Sequence, residues 1–308
     1  MEKKILIVVD NSIYSKMAVE YAALMDGLIK DSRYILFNVQ PTISDYLIRD
    51  SHFDKNARMA LKRLMDENKH ESEKILNESK NIMLTKGIEE ERIETATQPR
   101  TMDTAKDILN FAKQNACDVV LIGKRGVSKL EEIFTHSVST ALAEHIQTVP
   151  LWAVSGQVKS QKVAVAIDGS ESALRAVDHV GFMLGGNPDL HITLLHVMPK
   201  LRDYCPISFD EEGDLEQIVV KGDKKCVESF FVHAKRLLEN AGIKDYQLEI
   251  KELPSIVSVA KTIVSEVEGG EYGTLVLGRS GISESFFLGS VSRYCFYTLK
   301  DCAVWIVP

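Results

Sequence analysis

A chain of 308 residues exceeds the usual span of one domain, so its length favours two units of about 150 residues each. An apolar content of 45% with 26% charged residues suits a globular chain that can build a packed core in both units. A net charge of -7 argues against broad nucleic-acid binding, which relies on basic surfaces that neutralise phosphates, so no nucleic-acid partner is expected.

The N-terminal apolar run, Ile5 to Val9, is too short for a signal-peptide core or a membrane span. A cytoplasmic location and no membrane partner are the expectation. The five cysteines (Cys117, Cys205, Cys226, Cys295 and Cys302) are odd in number and form no CxxC pair, which favours reduced thiols over a disulfide or metal framework.

In chain order, Lys4-Ile5-Leu6-Ile7-Val8-Val9-Asp10-Asn11-Ser12 reappears as Lys162-Val163-Ala164-Val165-Ala166-Ile167-Asp168-Gly169-Ser170. Each copy reads as a strand buried on both faces, as in a parallel sheet, that ends in Asp-x-Ser. Helices follow, Ser12 to about Lys30 and Ser170 to about Leu184, opened by residues that cap helix N-termini. The second strands are Tyr34 to Val39 and His191 to Val197. Asp10 and Asp168, like Val39 and Val197, are 158 residues apart, which points to a duplication without insertion between them.

A polar, irregular segment follows in each half. Long charged helices come next, about Asn56 to Lys86 and about Leu215 to Ala241, each stopped by a glycine (Gly87, Gly242) placed for a left-handed C-cap. Third strands, Arg92 to Thr97 and Tyr246 to Glu252, alternate apolar and polar residues and belong near a sheet edge. Short helices, Met102 to Asn115 and Ile256 to Glu268, lead to fourth strands at Val119 to Ile122 and Thr274 to Leu277. Fifth strands, Val149 to Val154 and Cys302 to Val307, close each half, and a short linker near Ser155 to Gln161 joins them. The alternation of strand and helix predicts two similar α/β domains, 1–155 and 162–308, each a doubly wound, Rossmann-like parallel sheet of five strands. Trp152 and Trp305 occupy matching fifth strands and read as core.

Both fourth strands run into a glycine loop. Gly123-Lys124-Arg125-Gly126 precedes His136-Ser137-Val138, and Gly278-Arg279-Ser280-Gly281 precedes Gly289-Ser290-Val291. A strand, a glycine loop and a helix start make a phosphate seat, because first-turn N–H groups lack intrahelical partners and the helix dipole favours an anion there. Glycine admits close approach of a ligand to the backbone, and Ser137 or Ser290 adds a hydroxyl. In doubly wound sheets ligands sit beyond the carboxyl ends of the strands, where Asp10, Asp168, Val39, Val197, Gly123 and Gly278 are all predicted to lie.

At these residues the chain resembles the universal stress protein family in its tandem form, over nearly its whole length. The family signature is Gly-xx-Gly, nine residues, then Gly-Ser or Gly-Thr after the fourth strand. The resemblance implies an adenine nucleotide alpha hydrolase-like fold and an ATP or AMP ligand, with Mg as a candidate companion ion. It places Asp168, Val197, Gly278, Gly281, Gly289, Ser290 and Val291 around the nucleotide in the second half. Asp10, Val39, Gly123, Gly126, His136, Ser137 and Val138 correspond in the first. It also implies that the last strands pair edge to edge as an internal pseudo-dimer. Beyond that, the resemblance leaves a further homodimer and an unknown protein partner open.

The halves depart from the signature differently. The second keeps Gly289-Ser290 but has seven connecting residues instead of nine; the first keeps nine but carries His136 where the last glycine belongs. Seven residues still reach about 23 Å, whereas a Cβ at the turn obstructs a phosphate more directly, unless the imidazole itself contacts it. The second half is therefore the preferred seat, and the first is degenerate or regulatory. Asp10 and Asp168 also suit simple turn roles, Asn38 and His196 read as satisfied core or rim groups, and Lys124, Arg125 and Arg279 suit either phosphate pairing or a solvated loop tip.

No GxxxxGK(S/T) loop, GxSxG elbow, Ser-His-Asp set or metal-ligand spacing is present in the sequence. A regulatory nucleotide-binding stress-response role is thus expected ahead of strong catalysis. A non-nucleotide interaction scaffold and a weakly ATP-hydrolysing enzyme are the alternatives, with slow hydrolysis or autophosphorylation open and no residue assigned to it.

Overall fold

The computed structural model describes residues 1–125, 137–198, 227–280 and 288–308. The first strands form as β1 (Lys3–Val8) and β6 (Val163–Ile167), with Ile5, Leu6 and Ile7 fully buried from both faces. Each hands over to a helix, α1 (Ile13–Asp26) or α6 (Glu171–Leu184), through a serine N-cap. Ser12 Oγ accepts from the Ser15 amide at 3.2 Å and Ser170 Oγ from the Ala173 amide at 3.1 Å.

The first half continues through β2 (Ser32–Gln40), α2 (Asp45–Asp50), α3 (Lys55–Thr85), β3 (Ile93–Pro99), α4 (Thr104–Gln114), β4 (Val119–Gly123), α5 (Val138–His145) and β5 (Leu151–Ser155). The second continues through β7 (Ile192–Met198), a helix α7 described over 227–240, β8 (Leu248–Pro254), α8 (Val259–Gly269), β9 (Thr274–Gly278), α9 (Ser290–Thr298) and β10 (Cys302–Val307). Gly87 and Gly242 adopt φ of +91° and +85°, the left-handed conformation expected where the long helices stop. The start predicted for the second long helix, near Leu215, lies outside the described residues.

Two departures from the sequence reading have local causes. The segment after β2 is partly helical, because α2 forms there; none of its residues is buried, so no apolar periodicity marked it. The helix predicted from Met102 starts at Thr104, because Asp103 caps it by accepting from the Lys106 amide at 2.9 Å.

Among the described residues the strands make one ten-stranded sheet in the order β3-β2-β1-β4-β5-β10-β9-β6-β7-β8. Each half therefore has the order third, second, first, fourth, fifth, and the direction of chain progress reverses between its first and fourth strands. The alternating strands β3 and β8 are the outer edges, as predicted. All pairings are parallel except β5 with β10, where Trp152 lies opposite Trp305.

That antiparallel joint is the pseudo-dimer interface. The two indole rings stack with centroids 3.7 Å apart and planes 5° from parallel. Each indole N–H crosses to the first helix of the opposite half: Trp305 Nε1 donates to Tyr21 Oη at 2.9 Å, and Trp152 Nε1 donates to His179 Nε2 at 3.1 Å. Successive strand residues face opposite ways, so Ile5, Ile7, Trp152 and Trp305 join one core, while Leu6, Val120, Leu275 and Phe296 join a second on the other face. Both cores run through both halves. Among the described residues Cys117, Cys295 and Cys302 are buried free thiols, and no helix is long and apolar enough to cross a membrane.

Candidate functional site

In doubly wound sheets a ligand crevice is expected at the carboxyl end where strand order reverses, here between the first and fourth strands of each half. In the first half Asp10 follows β1, Val39 is near the end of β2, Gly123 ends β4 and Ser137 caps α5. A cavity of about 110 Å³ lies among them, lined by Asp10, Ser12, Asn38, Val39, Gly123 and Val138 among others. In the second half Asp168, Val197, Gly278, Gly289, Ser290 and Val291 occupy the equivalent positions. Gly126, His136 and Gly281 lie outside the described residues.

The carboxylates are already tied into turns. Asp10 Oδ1 accepts from the Ser12 amide at 2.9 Å and from Ser12 Oγ at 2.5 Å, and Asp168 Oδ1 accepts from the Ser170 amide at 3.0 Å. In both, the second carboxylate oxygen makes no hydrogen bond to the described residues. Asn38 Nδ2 donates to the Val9 carbonyl at 2.7 Å, and His196 Nδ1 pairs with the Ile167 carbonyl at 3.1 Å. These two side chains, 158 residues apart in sequence and both buried, brace the same backbone position of each half, in line with their reading as satisfied core or rim groups.

The first glycine of each loop is explained by protein contact as much as by a ligand. A Cβ on Gly123 would come within 2.0 Å of the Tyr14 carbonyl oxygen, and one on Gly278 within 2.6 Å of the Ser172 carbonyl carbon. The fourth strands end hard against the first turns of α1 and α6, and glycine is what fits there.

The helix starts differ. Ser137 is the N-cap of α5, and its Oγ accepts from the Thr140 amide at 3.2 Å. In the second half the N-cap is Gly289, without a side-chain cap, and Ser290 is the first helical residue. First-turn amides of α9 therefore lack the side-chain acceptor that α5 has. The Gly289 amide itself donates to the Arg279 carbonyl at 2.9 Å, which ties the turn to the start of its own loop.

Of the basic residues beside the first glycines, Lys124 and Arg279 behave unlike a loop tip, whereas Arg125 fits one. Arg125 is exposed, with its guanidinium 5.9 Å from the Tyr14 ring centroid. Lys124 is only 3% exposed, which overturns the solvated reading for this residue. Burial pushes its amine down to about 8. Arg279 is half-buried and donates to the Glu144 carbonyl of the other half at 3.1 Å. Thr104 and Ser139, which the sequence reading passed over, also line the first-half cavity. The signal that could have found them is position, since Thr104 opens α4 and Ser139 lies in the first turn of α5 at the same rim. Among the described residues no cluster of His, Cys, Asp or Glu could hold a metal ion.

The sequence model of the Universal stress protein family matches twice, at residues 1–155 and 159–308. Universal stress protein YxiE of Bacillus subtilis is 33% identical over 88 residues, a match that spans 29% of this chain and 55% of that relative's length. The crystal structure of a universal stress protein from Archaeoglobus fulgidus superposes with a TM-score of 0.63 at 19% identity, covering 99% of this chain and 97% of that one. A functionally unknown protein from Pseudomonas aeruginosa gives 0.54 at 14% identity, covering 99% and 92%. A universal stress protein solved in complex with cAMP gives 0.35 at 16% identity, covering 46% and 89%. At these identities, the likeness to the first two structures speaks for the fold alone.

Proposed function

Since the chain belongs to the universal stress protein family, we propose that it binds an adenine nucleotide, ATP or AMP, and that occupancy serves as a conformational or assembly signal in a stress response. The observation that carries the reading is the uncapped start of α9. Gly289 and Ser290 present a helix N-terminus without a side-chain acceptor, beside Gly278 and at the end of the crevice that Asp168 and Val197 border. Anions favour such a terminus. In this reading Asp168 and Val197 hold the base, while the amides at Gly289 to Val291 and the Ser290 hydroxyl hold phosphate. A magnesium ion would ride on the phosphates, because the described protein groups offer it no cluster of their own.

The first half is a second, different seat. Its cavity among Asp10, Val39 and Gly123 suits a base and sugar, but Ser137 Oγ is engaged in capping α5. That engagement, with the Asx turns of both aspartates, is what favours the alternative of an interaction scaffold. Equilibrium binding of ATP, AMP and ADP, with and without Mg, separates the two. Binding that Gly289→Val abolishes and Ser290→Ala weakens supports the nucleotide reading; no binding at millimolar nucleotide leaves the scaffold.

A further inference from the structure

The residue after the first glycine of each loop leaves its own half. Lys124, next to Gly123, places its ammonium 5.2 Å from the centroid of the Phe296 ring, on α9. Arg279, next to Gly278, donates to the carbonyl of Glu144, on α5. Both targets lie toward the C-terminal ends of the helices whose N-termini form the phosphate seats. The two helices also meet directly, where Tyr297 Oη donates to Thr140 Oγ1 at 3.4 Å.

The chemistry of the two crossings is purposeful on physical grounds. Carbonyls in the last turn of a helix lack intrahelical partners, and a cation there complements the dipole, so Arg279 suits the end of α5. Lys124 Nζ has no hydrogen-bond partner among the described residues, and the Phe296 ring face is its favourable contact. A buried ammonium in this state costs stability. A short hydrogen-bonded helix moves as a unit, so a force on its last turn repositions its first.

We propose that Lys124 and Arg279 are positioning residues that act in trans: each sets the placement of the phosphate seat in the opposite half, so that filling one seat changes the affinity of the other. The inference rests on the nucleotide reading above. By thermodynamic linkage the coupling is reciprocal.

The test follows amide hydrogen exchange in residues 138–145 and 290–298 of the full chain as ATP is added, which gives an apparent affinity for each seat separately. Arg279→Met should weaken protection of 138–145 about fivefold or more, within the usual range of coupling between sites, and Arg279→Lys should restore it. Lys124→Met, close in shape to lysine and free of the buried charge, should weaken protection of 290–298 in the same way. Effects confined to the mutated residue's own half, or absent, overturn the coupling while leaving nucleotide binding intact. No protection of either helix, together with no binding in the equilibrium assay, overturns both proposals.

Discussion

The joint between the halves and the rim above the sheet treat the duplication in opposite ways. At the joint the two copies differ in chemistry but not in geometry. Tyr21 and His179 are 158 residues apart in the chain, and each supplies the acceptor for the indole N–H of the opposite tryptophan. At the rim the residue types are closer but the geometry differs, with a serine N-cap in the first half and a glycine N-cap in the second. A buried contact must satisfy its polar atoms, so only equivalent acceptors survive there. A helix start facing a crevice can leave donors for a ligand.

The largest effect on stability is expected at the joint. Trp152→Ala removes a fully buried ring from the stack and should cost about 3–5 kcal/mol in denaturant unfolding. An unchanged midpoint would show that the halves do not depend on the stack.

His179 makes the joint sensitive to acid where Tyr21 does not. Burial holds its imidazole down, to about 3 from an ordinary 6.5, so the folded protein keeps it neutral. Between these values the unfolded chain binds a proton that the folded chain does not, and stability falls as pH drops through 6.5 toward 3. His179→Gln keeps an acceptor for Trp152 without a titrating ring and should flatten that part of the pH–stability curve, a difference of up to roughly 5 kcal/mol at the acid end.

Lys124 follows the same sign in a higher pH window. Its folded value of about 8 lies below the ordinary 10.5, so the buried charge weighs against folding below about 8. Stability rises with pH between the two values, as the folded state releases its proton first. Lys124→Met should therefore be more stable than the native chain at pH 7, by up to roughly 3 kcal/mol, with the gap closing toward pH 10.5.

Much of this layout was legible in the sequence, for a physical reason. Strands buried on both faces leave continuous apolar runs, and the 158-residue repeat of Asp10 and Val39 fixed which runs correspond. The alternation in the third strands identified the sheet edges. Strand order was not legible, because a run such as Val119 to Ile122 is equally apolar beside any neighbour. Nor was the path of Lys124. A lysine in a glycine loop reads equally as a phosphate partner or as a solvated tip, and its buried place against Phe296 of the other half follows from packing that the sequence does not display. The exposed helix α2 left no apolar pattern to read.

The smallest effects sharpen the rim comparison. Ser137→Ala removes the cap of α5 and should cost about 1 kcal/mol. Ser290→Ala, at a position that caps nothing, should change stability by a few tenths at most, about the level of an ordinary surface substitution, while weakening nucleotide binding. Equal losses of stability at both serines would erase the difference drawn between the two seats.

The most direct measurement is a crystal structure of the full chain grown with ATP. The account predicts a nucleotide in the second half, its base between Asp168 and Val197 and its phosphates against the amides of Gly289 and Ser290. A nucleotide bound away from both glycine loops, or crevices left empty at saturating ATP, would contradict it.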